Sequence, residues 1–457
     1  MKIEEGKAST APTDHESHEA LRNFRIETQR FGDLTPDFLL LSCRAMPNGF
    51  ARDNRGQLCC DGVALGELAD AYGTPLYVYS RATIEESFRR FDAAFASVPH
   101  LVCYATKANS ALALLRLVAG LGGGADVVSG GELRAVLESG IPAERVVFSG
   151  VGKTEAEIAA GVEAGILALN AESSREIEKI DACARRLGTV ARVALRVNPD
   201  IDARSHPYIS TGLRQNKFGV DISRAREIFA AARNLPGVRM TGVQAHIGSQ
   251  IVESEPLAQA AGELAALARD LTADGFGIET VDVGGGLGIG QWRLSPEDYA
   301  EAVLPRLAGL NARILVEPGR AIVGTAGTLL ARVLYVKEER GRTFVVVDAG
   351  MNDLLRPALY QAPHPIESVV SKESPMITAD VVGPVCETAD CFQRDARLPR
   401  PEEGDLIAIK DAGAYGAAMS SNYNFRSRPA EVLVESGGPR VIRRRESFED
   451  LTRLERT

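Results

Sequence analysis

The chain has 457 residues, 45% of them hydrophobic and 25% charged, enough for two or three globular domains of roughly 100–200 residues each. Its net charge of -9 argues against a nucleic-acid role built on bulk charge, no run approaches the roughly 20 apolar residues that span a bilayer, and the polar N-terminus lacks a signal peptide's apolar core, so the expected compartment is the cytoplasm. Seven scattered cysteines without a C-x-x-C pair and six histidines without an H-E-x-x-H array predict reduced thiols and no metal centre.

Residues 1–49 read as an extension, unstructured at first and with helical character after Ser17. Residues 50–80 are expected to supply strand structure that joins a later β domain, with 76–79 as the clearest strand after the helix-breaking Gly73-Thr74-Pro75. Ile84, Phe88, Phe91 and Phe95 then mark one face of a helix. Apolar β-like runs follow at 101–106, 125–128, 145–148, 166–169, 192–197, 240–245, 279–283 and 313–316, with helix-patterned segments between them. One of these, 256–273, carries Leu257, Leu264, Leu267 and Leu271 on one side. Eight β-runs in unbroken alternation predict a closed (β/α)8 barrel over 81–325; the rival is an open doubly wound sheet, which places its ligand at one switch point. Beyond residue 325 the pattern turns to strands at 328–336, 343–347, 377–382, 406–409, 429–435 and 440–443, a separate β domain over 326–457.

A (β/α)8 barrel keeps its active site at the C-terminal ends of its strands. Lys107 follows the first run, His246 and Ser249 the sixth, Gly284-Gly285-Gly286 the seventh, and Glu317, Pro318, Gly319 and Arg320 the eighth. Taken singly, the glycines are a turn, His246 a core or capping histidine, and Glu317 and Arg320 a surface ion pair. Gly120-Leu121-Gly122-Gly123-Gly124-Ala125 fits G-x-G-x-x-A, but it follows a helix and precedes a strand, the wrong context for a dinucleotide. Together the strand-end groups share one logic. A lysine can hold an aldehyde as a Schiff base, a glycine loop can hold a phosphate, an acid can keep a pyridine nitrogen protonated, and a histidine can stack on a flat ring. Pyridoxal 5'-phosphate fits all four; a flavin or nicotinamide explains neither the lysine nor the acid.

From about Phe50 to about Glu435 the chain resembles the fold-type III pyridoxal-phosphate decarboxylases. The motifs are Tyr104-Ala105-Thr106-Lys107-Ala108-Asn109, Asp126 to Ser129 with Gly130-Gly131-Glu132, His206 to Gly212 with Asn216-Lys217-Phe218-Gly219, and His246-Ile247-Gly248-Ser249-Gln250. In the β domain they are Asn352-Asp353, Arg356 to Tyr360, Gly383 to Asp390 with Cys386-Glu387, and Gly413-Ala414-Tyr415-Gly416. The resemblance implies that Lys107 carries the cofactor and His246 stacks on its ring. It implies that Glu317 pairs with the ring nitrogen and that Ser249, Gly286, Pro318, Gly319, Arg320 and Tyr415 complete the cofactor site. Arg320, Arg356, Tyr360, Glu387 and Tyr415 are implied to hold the substrate, and Cys386 to donate the proton. In such enzymes the Cys386-Glu387 segment comes from the partner subunit, so a homodimer is implied.

The implied activity is decarboxylation of meso-2,6-diaminopimelate to L-lysine and carbon dioxide, the last step of lysine biosynthesis by that route. Arg356 and Glu387 are the right types to read a distal carboxylate and ammonium. The alternatives are a decarboxylase of ornithine, arginine, lysine or carboxynorspermidine, and a silent cofactor carrier, which would lack the β domain or have lost the lysine or cysteine. The chain departs from the family at Arg204-Ser205, Gln361, Pro363 and Thr388; Gln361 and Pro363 flank the expected substrate loop.

Overall fold

The structure, a computed structural model, describes residues 49–202, 217–290 and 294–456. The extension up to residue 48, the His206 to Gly212 motif with Asn216, and Arg204-Ser205 lie outside the described residues.

Strands β1 (Phe50–Arg52), β2 (Leu58–Cys60) and β3 (Val63–Ala64) form a small antiparallel sheet. Asp61 and Gly62, at φ 46° and 86°, make the tight turn between β2 and β3, an Asp-Gly hairpin signal. The helix Leu65–Tyr72 leads to β4 (Leu76–Ser80). Ser80 then caps the helix Arg81–Phe95, its Oγ accepting the Thr83 N–H at 3.0 Å. The predicted face, Ile84, Phe88, Phe91 and Phe95, is buried.

The barrel follows: β5 (His100–Ala105), β6 (Gly124–Val127), β7 (Val146–Phe148), β8 (Ala168–Ala171), β9 (Ala191–Asn198), β10 (Val220–Asp221), β11 (Val238–Gln244), β12 (Thr280–Asp282) and β13 (Arg313–Val316). Among the described residues, all of these but β10 pair in parallel round a ring, β5-β6-β7-β8-β9-β11-β12-β13 and back to β5. The ring closes, which excludes the open sheet. Each of its eight strands overlaps one predicted run. The short β10 pairs with β9 at its C-terminal end and was not legible as a run. The helix Glu255–Ala273 buries Leu257, Leu264, Leu267 and Leu271, as the periodicity requires.

The β domain comprises β14 (Gly327–Glu339), β15 (Arg342–Val347), β16 (Ile366–Ser368), β17 (Met376–Val382), β18 (Cys391–Pro399), β19 (Leu406–Ile409), β20 (Ala430–Glu435) and β21 (Gly438–Arg443). Its sheet runs β18-β17-β15-β14-β4-β20-β21, with β19 pairing β14 and β16. Strand β4 therefore lies inside this sheet, antiparallel to β14 and parallel to β20. Strands β16 and β18 escaped the sequence reading. β18 buries Phe392, Ala396 and Leu398, but a break in its pairing with β17, beside Asp395 at φ 49°, interrupts the alternation that would announce it.

Barrel and sheet meet backbone to backbone. Gly413 N–H donates to Gly324 O at 3.0 Å and Ala412 N–H to Gly327 O at 2.9 Å. A Cβ on Gly413 would sit 1.8 Å from Val323 O, with no side chain to give way. Gly413→Ala is expected to cost about 3 kcal/mol in denaturant unfolding and to weaken cofactor binding, because Tyr415 follows two residues later. Unchanged stability would show that this junction can relax.

Candidate active site

Three strand-end loops of the barrel are packed against one another through bare backbone. Glu317 N–H donates to Gly284 O at 2.7 Å and Ile251 N–H to Gly286 O at 2.9 Å. A Cβ at Gly285 would lie 2.1 Å from Glu317 O; one at Gly286, where φ is 96°, would lie 2.1 Å from Gly248 O. The glycine run is therefore required by close approach, and it leaves the Gly286 backbone facing a cavity of about 330 Å³. Lys107, His246, Ser249, Gly286, Glu317, Pro318, Gly319, Arg320, Tyr360 and Tyr415 all line that cavity, as do Phe218 and Met419.

Lys107 sits in a short turn after β5, and its Nζ donates to Asp126 Oδ2 at 2.6 Å. Burial works against the ammonium, but Asp126, Tyr415 and Glu317 outweigh it and hold the amine above the ordinary lysine range. Tyr415 takes a left-handed backbone (φ 56°) and ties this turn to the β domain, its N–H donating to Ala108 O at 2.8 Å. His246 Nδ1 accepts the Gly285 N–H at 3.2 Å, so the neutral ring carries its proton on Nε2. Burial, with Lys107 and Arg196 nearby, pushes its pKa well below the usual histidine value.

Glu317 and Arg320 are buried at 4% and 8% exposure, which rules out a surface ion pair. Gln244 Nε2 donates to Glu317 Oε2 at 3.2 Å; Oε1 meets no N–H donor among the described residues, and the Asp282 carboxyl shares a hydrogen bond with Glu317 when one of the two is protonated. Burial, then Asp126 and Asp282, push the Glu317 carboxyl well above the carboxylate range, and burial pushes Asp282 up to about 6. Arg320 Nη2 donates to Ser249 Oγ at 3.2 Å, and its guanidinium lies 4.7 Å from the Tyr415 ring centroid. Its Nε and Nη1 are buried without partners among the described residues.

Arg356 and Tyr360 share the helix Arg356–Tyr360. Tyr360 reaches the Lys107 cavity; Arg356, buried at 4% exposure, lines an adjoining cleft of about 1040 Å³. Gln361 ends that helix at φ 52°, a conformation that suits the family's more usual glycine. Cys386 and Glu387 are exposed and line neither cavity. Cys386 N–H donates to Asn424 Oδ1 at 3.1 Å, and Glu387 Oε1 accepts the Tyr423 hydroxyl. Asp390 accepts the Val385 and Met351 N–H groups, each at 2.6 Å, and so braces the loop that carries them.

Several participants lacked an assigned role in the sequence reading. Asp126, Asp282 and Gln244 sit within or at the end of apolar runs, where a polar residue is itself a signal. Phe218 lay in a quoted motif, and its ring takes the Arg196 guanidinium 4.8 Å from its centroid. His364 carried no sequence signal at all.

The unsatisfied groups fit pyridoxal 5'-phosphate. Two free guanidinium nitrogens, a serine hydroxyl and a glycine loop suit a phosphate; a buried carboxyl that meets no N–H donor at Oε1 suits a protonated ring nitrogen; an amine lines the same cavity. Without cofactor, Asp282 has a folded-state pKa above its unfolded value of about 3.9. The stability it contributes is complete below that value and is lost as pH rises through about 6. Thermal melts of cofactor-free protein are expected to fall as pH rises from about 4 through about 6, the span between the unfolded and folded values of this group. Asp282→Asn is expected to flatten the slope, and identical slopes would contradict the assignment.

A family model described as pyridoxal-dependent decarboxylase, pyridoxal binding domain, matches residues 81–324. The chain is 48% identical over 395 residues to the diaminopimelate decarboxylase of Neisseria meningitidis serogroup B, covering 86% of this chain and 95% of that one. It is 45% identical over 406 residues to that of Aquifex aeolicus, covering 88% and 96%. The crystal structure of diaminopimelate decarboxylase from Helicobacter pylori complexed with L-lysine superposes with a TM-score of 0.83 at 46% identity, covering 86% of this chain and 99% of that one. By sequence and by fold, the chain belongs to the pyridoxal-dependent decarboxylase family, on its diaminopimelate decarboxylase branch.

Proposed function

We propose that the protein decarboxylates meso-2,6-diaminopimelate to L-lysine and carbon dioxide, as a homodimer whose sites are each completed by Cys386 and Glu387 of the other subunit. The observation that carries this reading is the pair of buried arginines, Arg320 and Arg356, beside the Lys107 and Glu317 cavity. Cofactor phosphate and a substrate carboxylate supply the anions such a pair lacks. The relatives' names and the L-lysine bound to the Helicobacter pylori enzyme support the same substrate and product.

Pyridoxal 5'-phosphate supplies an electron sink for the pair left behind when the carboxylate departs. Lys107 would hold the cofactor through its aldehyde, and Asp126 anchors the Lys107 amine at the mouth. Glu317 keeps the ring nitrogen protonated, with Gln244 and Asp282 fixing its carboxyl. His246, neutral, would border the ring of the cofactor without adding charge. Ser249, Gly286 and Arg320 hold the phosphate, with Pro318 and Gly319 shaping the same wall and Tyr415 packing over Arg320. Tyr360 borders the reacting centre, and Arg356 binds the distal carboxylate while Glu387 takes the distal ammonium. The Cys386 thiol of the other subunit would supply the proton that replaces the departing carboxylate.

A shared site accounts for the exposed Cys386 and Glu387, whose loop is braced by Asp390, Asn424 and Tyr423 but which themselves line neither cavity of their own chain. We place the enzyme in the cytoplasm, where an exposed catalytic thiol stays reduced.

Carbon dioxide release from meso-diaminopimelate, measured beside ornithine, arginine and lysine, tests the substrate; preference for one of the latter would overturn the reading. Lys107→Ala is expected to abolish the Schiff-base absorbance, and Cys386→Ala to keep it while slowing turnover about 100-fold or more. Mixing the two inactive variants is expected to restore about a quarter of wild-type activity, since half of randomly paired dimers then carry one intact site. No recovery on mixing would contradict the shared site.

A further inference from the structure

Arg356 is held in an unusual way. Buried arginines are ordinarily paired with carboxylates. Here the hydrogen-bond partner of Arg356 is an imidazole: Arg356 Nη1 lies 2.8 Å from His364 Nε2. Its Nε is buried with no partner among the described residues, and no carboxylate of those residues is paired with it. Asp411 borders the same cleft and acts on Arg356 through space, without a hydrogen-bonded pair.

The tautomer of His364 follows from its neighbours. A guanidinium only donates and a backbone carbonyl only accepts. His364 Nδ1 lies 2.8 Å from Lys410 O, so it carries the proton, and Nε2 offers its lone pair to Arg356. Protonating the ring would destroy the bond to Arg356. Burial and the Arg356 charge push His364 down to about 4, so the ring stays neutral through the physiological range. The backbone is fixed as well. Pro363 and Pro365 flank His364, and Lys410 N–H donates to Pro365 O at 2.9 Å, which clips this turn to the end of β19.

We propose that His364 is a positioning residue that orients Arg356 without adding a negative charge beside it, so that the guanidinium stays available to the distal carboxylate of the substrate. The role rests on the diaminopimelate reading above. A carboxylate in place of His364 would orient the guanidinium equally well but would neutralise it and repel the incoming anion. A neutral acceptor avoids both effects. The arrangement has a cost that the ligand removes: burial and the neighbouring Arg320 push Arg356 down to about 9, and an arriving carboxylate relieves that strain.

The test is steady-state kinetics on holoenzyme with meso-diaminopimelate for wild type, His364→Phe, His364→Gln and His364→Glu, with cofactor absorbance and thermal midpoint recorded for each. Phenylalanine fills the space without an acceptor, glutamine restores a neutral acceptor, and glutamate restores an acceptor that carries charge. We expect His364→Phe to raise KM about tenfold or more with kcat and absorbance little changed. His364→Gln should bring KM back towards wild type, and His364→Glu should raise it at least as far as phenylalanine does. A wild-type KM in His364→Phe or in His364→Glu would overturn the proposal. So would equal losses of kcat, KM and absorbance in all three variants, since that pattern marks a purely structural residue. Wild type inactive on meso-diaminopimelate would instead remove the substrate reading, and this role with it.

Discussion

The site depends on a separation of buried charge that the protein alone leaves unfinished. Asp126, Asp282 and Glu317, from β6, β12 and the end of β13, place three carboxyl groups at the barrel mouth with little access to water. Arg320 and Arg356 place two buried guanidinium groups at the same cavity and its adjoining cleft. Lys107 lines that cavity, its ammonium already committed to Asp126. Burying such groups without partners is costly, and removing one partner exposes the full penalty of the other. A ligand with a protonated ring nitrogen at one end and anionic oxygens at the other completes the set. Pyridoxal 5'-phosphate with an amino diacid has that charge pattern.

Keeping these charges in register requires stiff walls, and the walls are backbone. The loops after β11, β12 and β13 approach until Gly285 and Gly286 have no room for a Cβ. The same device recurs where Gly413 crosses Val323 and joins the β domain to the barrel. That second contact carries Tyr415 onto Arg320 and back to the Lys107 turn. Precision at the mouth is thus a consequence of main-chain packing, which tolerates little drift.

Much of this was legible in the sequence because its signals are local. Continuous apolar runs disclosed all eight barrel strands, and the polar residues just beyond them disclosed Lys107, His246, Ser249, Glu317 and Arg320. What stayed hidden depended on distant partners. Asp126 and Asp282 look like interruptions of a strand until the ring closes and brings them towards Lys107 and Glu317. The pairing break beside Asp395 masks β18. His364 carried no signal of its own, and the role proposed for it exists only because the chain leaving β19 delivers the Lys410 carbonyl. Cys386 illustrates a different limit: its side chain lines neither cavity of its own chain, and the role proposed for it needs a second chain.

The central claim is that this charge pattern selects pyridoxal 5'-phosphate and fixes it to Lys107. The most direct measurement is to load the protein with the cofactor, reduce it with borohydride, digest it and locate the label by mass spectrometry. The account predicts one reduced pyridoxyl group per chain, on the peptide containing Lys107. A label on another lysine, or none, would contradict it.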